Sequence, residues 1–163
     1  MLNMEIVFPA NKHFLIDLTN SNVIFMLIGG YAVNYYGYAR FTLDMDIWLK
    51  PDKDNQEKFI TFLESNQYDE ESIINLRKVN FSDANSFHIG QGAAKIDFLT
   101  RISGVEFEEA YPLGNSLTVG DIAVKVIHFR HLIINKMISG RLQDRADVEK
   151  LQEINKYRNP PHE

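Results

Sequence analysis

The sequence contains no cysteine among its 163 residues. Disulfide bonds and thiolate chemistry are therefore excluded, and this composition fits a reducing compartment, so we expect a cytoplasmic protein. A charged N-terminal segment followed by an apolar stretch and a small-residue cleavage site is also lacking, so we expect no secretory signal. No apolar run approaches the roughly 20 residues that cross a bilayer, and we expect no membrane contact.

Basic residues are scarcer than acidic ones, with 17 Lys and Arg against 22 Asp and Glu, which gives a formal net charge of −5. An extensive nucleic-acid surface usually needs a basic face, so we expect none here. A nucleotide is not excluded, because a metal ion and a few side chains can meet its charge. The length suffices for one domain with a sizeable core. We therefore expect a single domain over residues 1–158 and a C-terminal tail at 159–163.

The most informative part of the chain begins with the apolar run Val23–Ile28, which has the length and composition of a buried strand. The run stops at Gly29 and Gly30, where two glycines allow a tight turn and the close approach of another molecule's backbone or phosphate. A short helix is predicted over Tyr31–Tyr36, with Gly37 ending it. The diglycine would then lie at a helix N-terminus, where free amide groups favour an anion.

The following segment alternates between apolar and other residues. Its apolar positions are Leu43, Met45, Ile47 and Leu49. Period two predicts a strand with one apolar face, from whose other face Asp44 and Asp46 project side by side. Their repulsion is about 1 kcal/mol in water and about 4 kcal/mol at an effective dielectric of roughly 20. A cation would offset it, and carboxylate oxygens suit Mg²⁺.

Each of these two patterns has an ordinary alternative, because a lone diglycine is often only a turn and a lone Asp-x-Asp pair is often a solvated strand face. Their order and context favour function. Together they resemble the signature of the nucleotidyltransferase superfamily, which has the DNA polymerase β-like fold. The matching residues are Ile28-Gly29-Gly30 and Leu43-Asp44-Met45-Asp46-Ile47. The lead-in from Arg40 to Asp44 is similar to a small single-domain bacterial branch that includes abortive-infection-type nucleotidyltransferase toxins.

The resemblance implies an α+β (α/β) fold, with a mixed twisted β-sheet flanked by helices. It also implies a third acid on a later strand. Two such strands are predicted, Ser86–Gly90 and Lys95–Thr100, and in the second Asp97 faces away from its apolar neighbours. By resemblance, Asp97 corresponds to the third metal-site acid of the superfamily. The alternative is a surface residue on an edge strand.

A helix is predicted over His128–Ser139, ending at Gly140. Its core-facing positions are Phe129, Leu132, Ile133 and Met137, and Lys136 lies among them. Either the lysine stem packs while its ammonium reaches water, or the ammonium addresses a phosphate or carboxylate. The last helix is predicted to begin with Asp144 as N-cap and Asp147 in its first turn. This segment resembles the C-terminal part of small nucleotidyltransferases, which closes the site.

Other elements follow from apolar periodicity and turn residues. They are helices at Asn11–Asn20, from an Asp54 cap to Asn66, at Asp69–Lys78 and at Val105–Tyr111 before Pro112, and a hairpin of Ser116–Val119 with Ile122–Val126.

The resemblance implies that the protein is a metal-dependent nucleotidyltransferase with Mg²⁺ or Mn²⁺ as cofactor. Such an enzyme moves a nucleoside monophosphate from an NTP to an acceptor hydroxyl. Asp44, Asp46 and Asp97 would be both catalytic and metal-binding. The nucleotide-binding residues would be Gly29, Gly30, Arg40, Lys136 and Arg141. The acceptor stays open between a small molecule, a protein and an RNA end. The competing interpretation is a non-catalytic binding module of the same fold, such as a toxin–antitoxin partner.

Overall fold

The structure is a computed structural model that describes residues 9–92 and 95–159. Over these ranges the helices are α1 (Pro9–Asn20), α2 (Gly29–Tyr35), α3 (Lys53–Ser65), α4 (Glu70–Lys78), α5 (Phe107–Leu113), α6 (Phe129–Ser139) and α7 (Leu142–Arg158). The strands are β1 (Phe25–Ile28), β2 (Met45–Leu49), β3 (Ser86–Ile89), β4 (Ile96–Leu99), β5 (Asn115–Val119) and β6 (Ile122–Val126). The division into a domain at 1–158 and a tail stays a prediction, because residues 1–8 and 160–163 lie outside the described ranges.

All six strands form one sheet, in the order β3-β4-β2-β1-β6-β5. The sheet is mixed: β2 pairs with β4 and β1 with β6 in parallel, whereas the other three pairings are antiparallel. The predicted fold class, a mixed sheet flanked by helices, is therefore confirmed. Within the described ranges, none of the helices has both the length and the apolar character needed to traverse a bilayer.

The two faces of the sheet are packed differently. On one face, the buried Phe98 ring of β4 lies 6.0 Å from Phe14 of α1 and 5.0 Å from Phe59 of α3. On the other face, Trp48 of β2 meets Phe107 of α5 edge-on at 5.0 Å. Side chains alternate along a strand, so the residues next to Phe98 project toward the second face. This fixes the side of the sheet on which the acidic residues lie.

Three predicted element boundaries need correction. Helix α3 is capped by Asp52, whose carboxylate accepts a 2.8 Å hydrogen bond from the Asn55 amide, while Asp54 sits in the first turn and pairs with Lys58. Helix α5 starts only at Phe107, because that ring is anchored against the sheet, and it includes Pro112.

The third correction concerns β2, which begins at Met45 instead of Leu43. Two preceding backbone groups bond to side chains rather than to a neighbouring strand. The Arg40 amide donates to Asn34 at 3.1 Å, and the Asp44 carbonyl accepts from the Thr42 hydroxyl at 3.3 Å. Leu43 is therefore 50% exposed rather than part of the apolar face.

Candidate active site

The diglycine lies where β1 passes directly into α2. Gly29 has φ +62°, and a Cβ on it would stand 2.1 Å from Oδ2 of Asp46; a Cβ on Gly30 would stand 2.4 Å from the Thr42 hydroxyl oxygen. Both distances are too short for any side chain, so glycine is required at each position. The groups that approach the two glycines are this chain's own Asp46 and Thr42, and the approach of another molecule stays a prediction. Nucleotide binding by Gly29 and Gly30 stays a prediction.

The three acids predicted from sequence lie near one another. Asp46 and Asp97 are Cα partners across the parallel β2–β4 pair, so their side chains share a face. Asp44 lies just before β2, with its side chain 41% exposed. The geometry thus groups two acids from neighbouring strands with one from the preceding loop.

The pKa of Asp46 depends on the charges of Asp97 and Asp44. Burial, followed by the negative charges of Asp97 and Asp44, raises the pKa of Asp46 to about 6, against the smaller opposing effect of Lys136 and Arg141. An ionised Asp46 carboxylate is therefore unfavourable unless further positive charge reaches it. Because Asp97 and Asp44 both act on it, the three carboxylates form one electrostatic unit, which we call the acidic cluster.

Lys95 is the site residue that sequence reasoning missed. Its ammonium lies 3.2 Å from Oδ1 of Asp97 and 3.7 Å from Oδ2 of Asp44. The available signal was the spacing Lys95-Ile96-Asp97, since residues two apart on a strand share a face. One ammonium in contact with two of the three carboxylates leaves the acidic cluster net negative when all three are ionised, and Lys136 and Arg141 offset part of the charge on Asp46.

The donor chemistry of the acidic cluster fits a hard divalent ion, because all its ligand atoms are carboxylate oxygens and its net negative charge favours such an ion. Across residues 9–92 and 95–159, however, no three His, Cys, Asp or Glu side chains are already arranged to hold a metal. Lys95 lies between two of the acids. Metal binding by Asp44, Asp46 and Asp97 stays a prediction.

A second cluster, which we call the C-terminal ion network, joins the loop before Asp44 to α6 and α7. Its members are Arg40, Lys136, Arg141, Asp144 and Asp147. The Lys136 ammonium contacts Asp144 at 2.9 Å and Asp147 at 2.8 Å. Arg40 donates two hydrogen bonds to Asp147, at 2.8 and 2.9 Å, and Arg141 donates one to Asp144 at 2.9 Å. Charges of opposite sign therefore alternate along the network, and the three in its middle, Asp147, Lys136 and Asp144, are buried.

The network corrects two sequence predictions. Helix α7 begins at Leu142, with Arg141 before it, so Asp144 lies in the first turn and is not the N-cap. In α6, Lys136 is 4% exposed while Met137 is 62% exposed, so Met137 does not face the core. The lysine takes the buried position because α7 brings two carboxylates to its ammonium.

The three predicted nucleotide-binding cations differ in accessibility. The Lys136 side chain is 5% exposed and that of Arg40 is 20% exposed, whereas that of Arg141 is 79% exposed. Arg141 therefore has a surface available for a ligand. The structure gives Lys136 and Arg40 internal carboxylate partners, and their contact with a nucleotide stays a prediction.

His88 on β3 extends the row of acids by one strand. It is the Cα partner of Asp97 across the antiparallel β3–β4 pair, and it is exposed. Asp46, Asp97 and His88 thus occupy successive strands at one level of the sheet. This position could not be predicted from sequence, because strand register is not visible in a local pattern.

Two solved structures share this fold. One is the lincosamide antibiotic adenylyltransferase LnuA with lincomycin bound, at 14% identity and a TM-score of 0.54, covering 91% of this chain and 98% of that chain. The other is an antigenic nucleotidyltransferase-like protein from Paracoccidioides brasiliensis, at 14% identity and a TM-score of 0.50, covering 90% and 73%. This chain therefore has the nucleotidyltransferase fold, as the sequence resemblance implied.

No protein-family model and no curated protein sequence matches the chain. The narrower resemblance to abortive-infection-type toxins stays a prediction.

Proposed function

We propose that this protein transfers a nucleoside monophosphate from an NTP to an acceptor hydroxyl. The observation that carries the proposal is the pairing of Asp46 with Asp97 on adjacent strands, beside a diglycine that Asp46 itself approaches. Without a bound cation, two carboxylates on adjacent strands would only repel each other. The shared fold supports the same reaction class.

In this reaction the acceptor oxygen forms a bond to the α-phosphorus, and the bond from that phosphorus to the bridging oxygen breaks, releasing pyrophosphate. In the proposed reaction, Asp97 would take the proton of the hydroxyl or serve as a metal ligand. Arg141 would meet the triphosphate charge, a role that its exposed side chain supports. Lys136 and Arg40 hold α7 and the loop before Asp44 in position through Asp144 and Asp147.

Asp44, Asp46 and Asp97 would hold Mg²⁺ or Mn²⁺. A bound ion of this kind supplies charge neutralisation at the phosphates and a lower pKa for the attacking hydroxyl. Lys95 would have to leave the two carboxylates it contacts, which its partly exposed side chain allows.

Among the acceptor classes, a small molecule is favoured by one observation. LnuA, named as an antibiotic adenylyltransferase, is matched over 98% of its length. In that protein the fold serves an antibiotic acceptor, and we infer the same class of acceptor here. A protein side chain and an RNA end are the alternatives that the experiment below separates.

The test uses NTPs labelled at the α- or γ-phosphate, with Mg²⁺, a cell extract and a panel of hydroxylated small molecules that includes lincomycin. We expect α-label, and not γ-label, to move to an acceptor, and filtration separates small products from macromolecules. Asp46→Asn and Asp97→Asn should abolish the transfer. Asp121→Asn, an equal charge change in the exposed β5–β6 turn, should leave it intact.

If no α-label moves with any NTP, and no NTP with Mg²⁺ raises the melting temperature of the wild type, the enzyme assignment is wrong. The non-catalytic binding module would then be the better interpretation.

A further inference from the structure

Lys95 contacts two carboxylates, whereas a simple surface ion pair involves only one. Its ammonium contacts a carboxylate on each side of it, one from β4 and one from the loop before β2. Asp97 and Asp44 belong to segments that are far apart in sequence. Lys95 therefore cross-links the two parts of the acidic cluster with a single positive charge.

The neighbourhood explains why a cation is useful there. Asp44, Asp46 and Asp97 would repel one another if nothing lay between them, and Asp46 is affected by both of the other two. Coulomb attraction to one ammonium offsets part of this repulsion. The Lys95 side chain is 34% exposed, so the ammonium can move into solvent without disturbing the core.

We propose that Lys95 is a positioning residue that stands in for the divalent ion: it holds Asp44 and Asp97 together while the metal is absent, and it must withdraw when the metal binds. This inference rests on the proposed function, because it assumes that the acidic cluster receives a divalent cation. It adds that the affinity for that cation is set by competition with an internal lysine. A residue with a merely structural role would have no such effect.

The proposal predicts that removing the Lys95 ammonium changes the stability of the metal-free protein and the affinity for metal in opposite directions. Removing the ammonium should destabilise the metal-free protein, because the carboxylates lose their counter-charge. The same change should strengthen metal binding, because the incoming ion no longer displaces a like charge. A packing or general stability defect would weaken both, so the opposite signs identify competition.

The experiment measures Mn²⁺ affinity by electron paramagnetic resonance of free Mn²⁺, together with the urea midpoint in EDTA, for the full chain. Lys95→Met should bind Mn²⁺ about ten-fold or more tightly than wild type, as expected when a unit charge within a few Å is removed. Its urea midpoint in EDTA should fall, and saturating Mn²⁺ should restore it. Lys95→Arg, which keeps the charge, should bind Mn²⁺ within about two-fold of wild type.

Lys53→Met is the matched control, because Lys53 is exposed beyond the opposite end of β2. Its Mn²⁺ affinity should equal that of wild type. If wild type binds Mn²⁺ and Lys95→Met binds it no more tightly, the competition proposal is overturned while the proposed function stands. If no variant binds Mn²⁺ at millimolar concentration, the competition proposal is also overturned, and the proposed function is then decided by the transfer assay above.

Discussion

Arg40 and Asp147 are 107 residues apart in the sequence, and two hydrogen bonds join them, from Nε to Oδ1 at 2.8 Å and from Nη2 to Oδ2 at 2.9 Å. Asp147 also receives the Lys136 ammonium at 2.8 Å. A single buried carboxylate thus connects α7, α6 and the loop that precedes Asp44. The position of that loop, and with it the position of Asp44, depends on the last helix described.

Asp147→Asn should destabilise the protein strongly. The Asp147 side chain is completely buried, and its loss of charge leaves Lys136 and Arg40 undercompensated. Breaking one partner of a buried ion pair costs about 3–5 kcal/mol. The measurement is the free energy of unfolding in urea at pH 7. Glu149→Gln, an exposed change on the same helix, should stay within about 0.5 kcal/mol of wild type, and equal stability of the two variants would contradict this role for Asp147.

The C-terminal ion network should make stability fall in acid. Burial alone would raise the pKa of Asp144, but hydrogen bonds from Arg141, Lys136 and Ser139 outweigh it and lower the pKa to about 2 from its ordinary value of 3.8. The folded pKa lies below the unfolded one, so this stabilisation is present above about pH 4 and is lost as pH falls toward 2. The expected loss from Asp144 is about 2 kcal/mol.

Urea titrations between pH 7 and pH 2 measure this effect. Asp144→Asn should be less stable than wild type at pH 7, and the difference should shrink as the pH falls below 4. A difference that stays constant with pH would show that the Asp144 carboxylate contributes through its shape and not its charge.

Gly29→Ala should be more damaging than the same change at another glycine of similar backbone conformation. Gly120 has φ +61°, and a Cβ there would meet its nearest atom at 3.4 Å, an ordinary contact, whereas at Gly29 the Asp46 carboxylate is 2.1 Å away. Both changes carry the left-handed strain of about 1–2 kcal/mol. Only Gly29→Ala should also displace Asp46, so it should lose more stability than Gly120→Ala. It should also lose nucleotidyl transfer; equal losses of stability and full activity in both variants would refute the idea.

Asp46→Asn should stabilise the metal-free protein at pH 7 while removing its response to metal. The carboxylate is held near Asp97 and Asp44, and relieving such repulsion is worth about 1 kcal/mol or more. Unfolding in EDTA measures the gain, with Asp121→Asn as the control that should show none. Added Mg²⁺ should raise the melting temperature of wild type and of the control, but not that of Asp46→Asn. A Mg²⁺ response that survives in Asp46→Asn would show that the ion binds elsewhere.

Local patterns were sufficient for the existence of β1 and β2. Apolar runs and period-two alternation predicted these strands, although β2 begins at Met45 and not at Leu43. Both strands depend on residues near one another in sequence, where backbone geometry and side-chain direction are set locally. The family resemblance, and not a local pattern, predicted that Asp97 joins Asp44 and Asp46, because the pairing of β2 with β4 is not a local feature.

The remaining features depend on distant partners. The prediction that Met137 faces the core is wrong, because Lys136 takes the buried position instead. The carboxylates that pair with Lys136 come from α7. The contact of Lys95 with Asp44 and the alignment of His88 with Asp97 both follow from the strand order and register. A single sequence shows neither, since register is decided by the packed sheet as a whole.

The C-terminal ion network has a consequence for truncation. A chain shortened before α7 would keep Arg40 and Lys136 but lose Asp144 and Asp147, the carboxylates that pair with them. The Lys136 ammonium would then lose both of its partners, and an unpaired charge in the interior is costly. Truncation at this point would therefore release the loop before Asp44 as well as remove a helix.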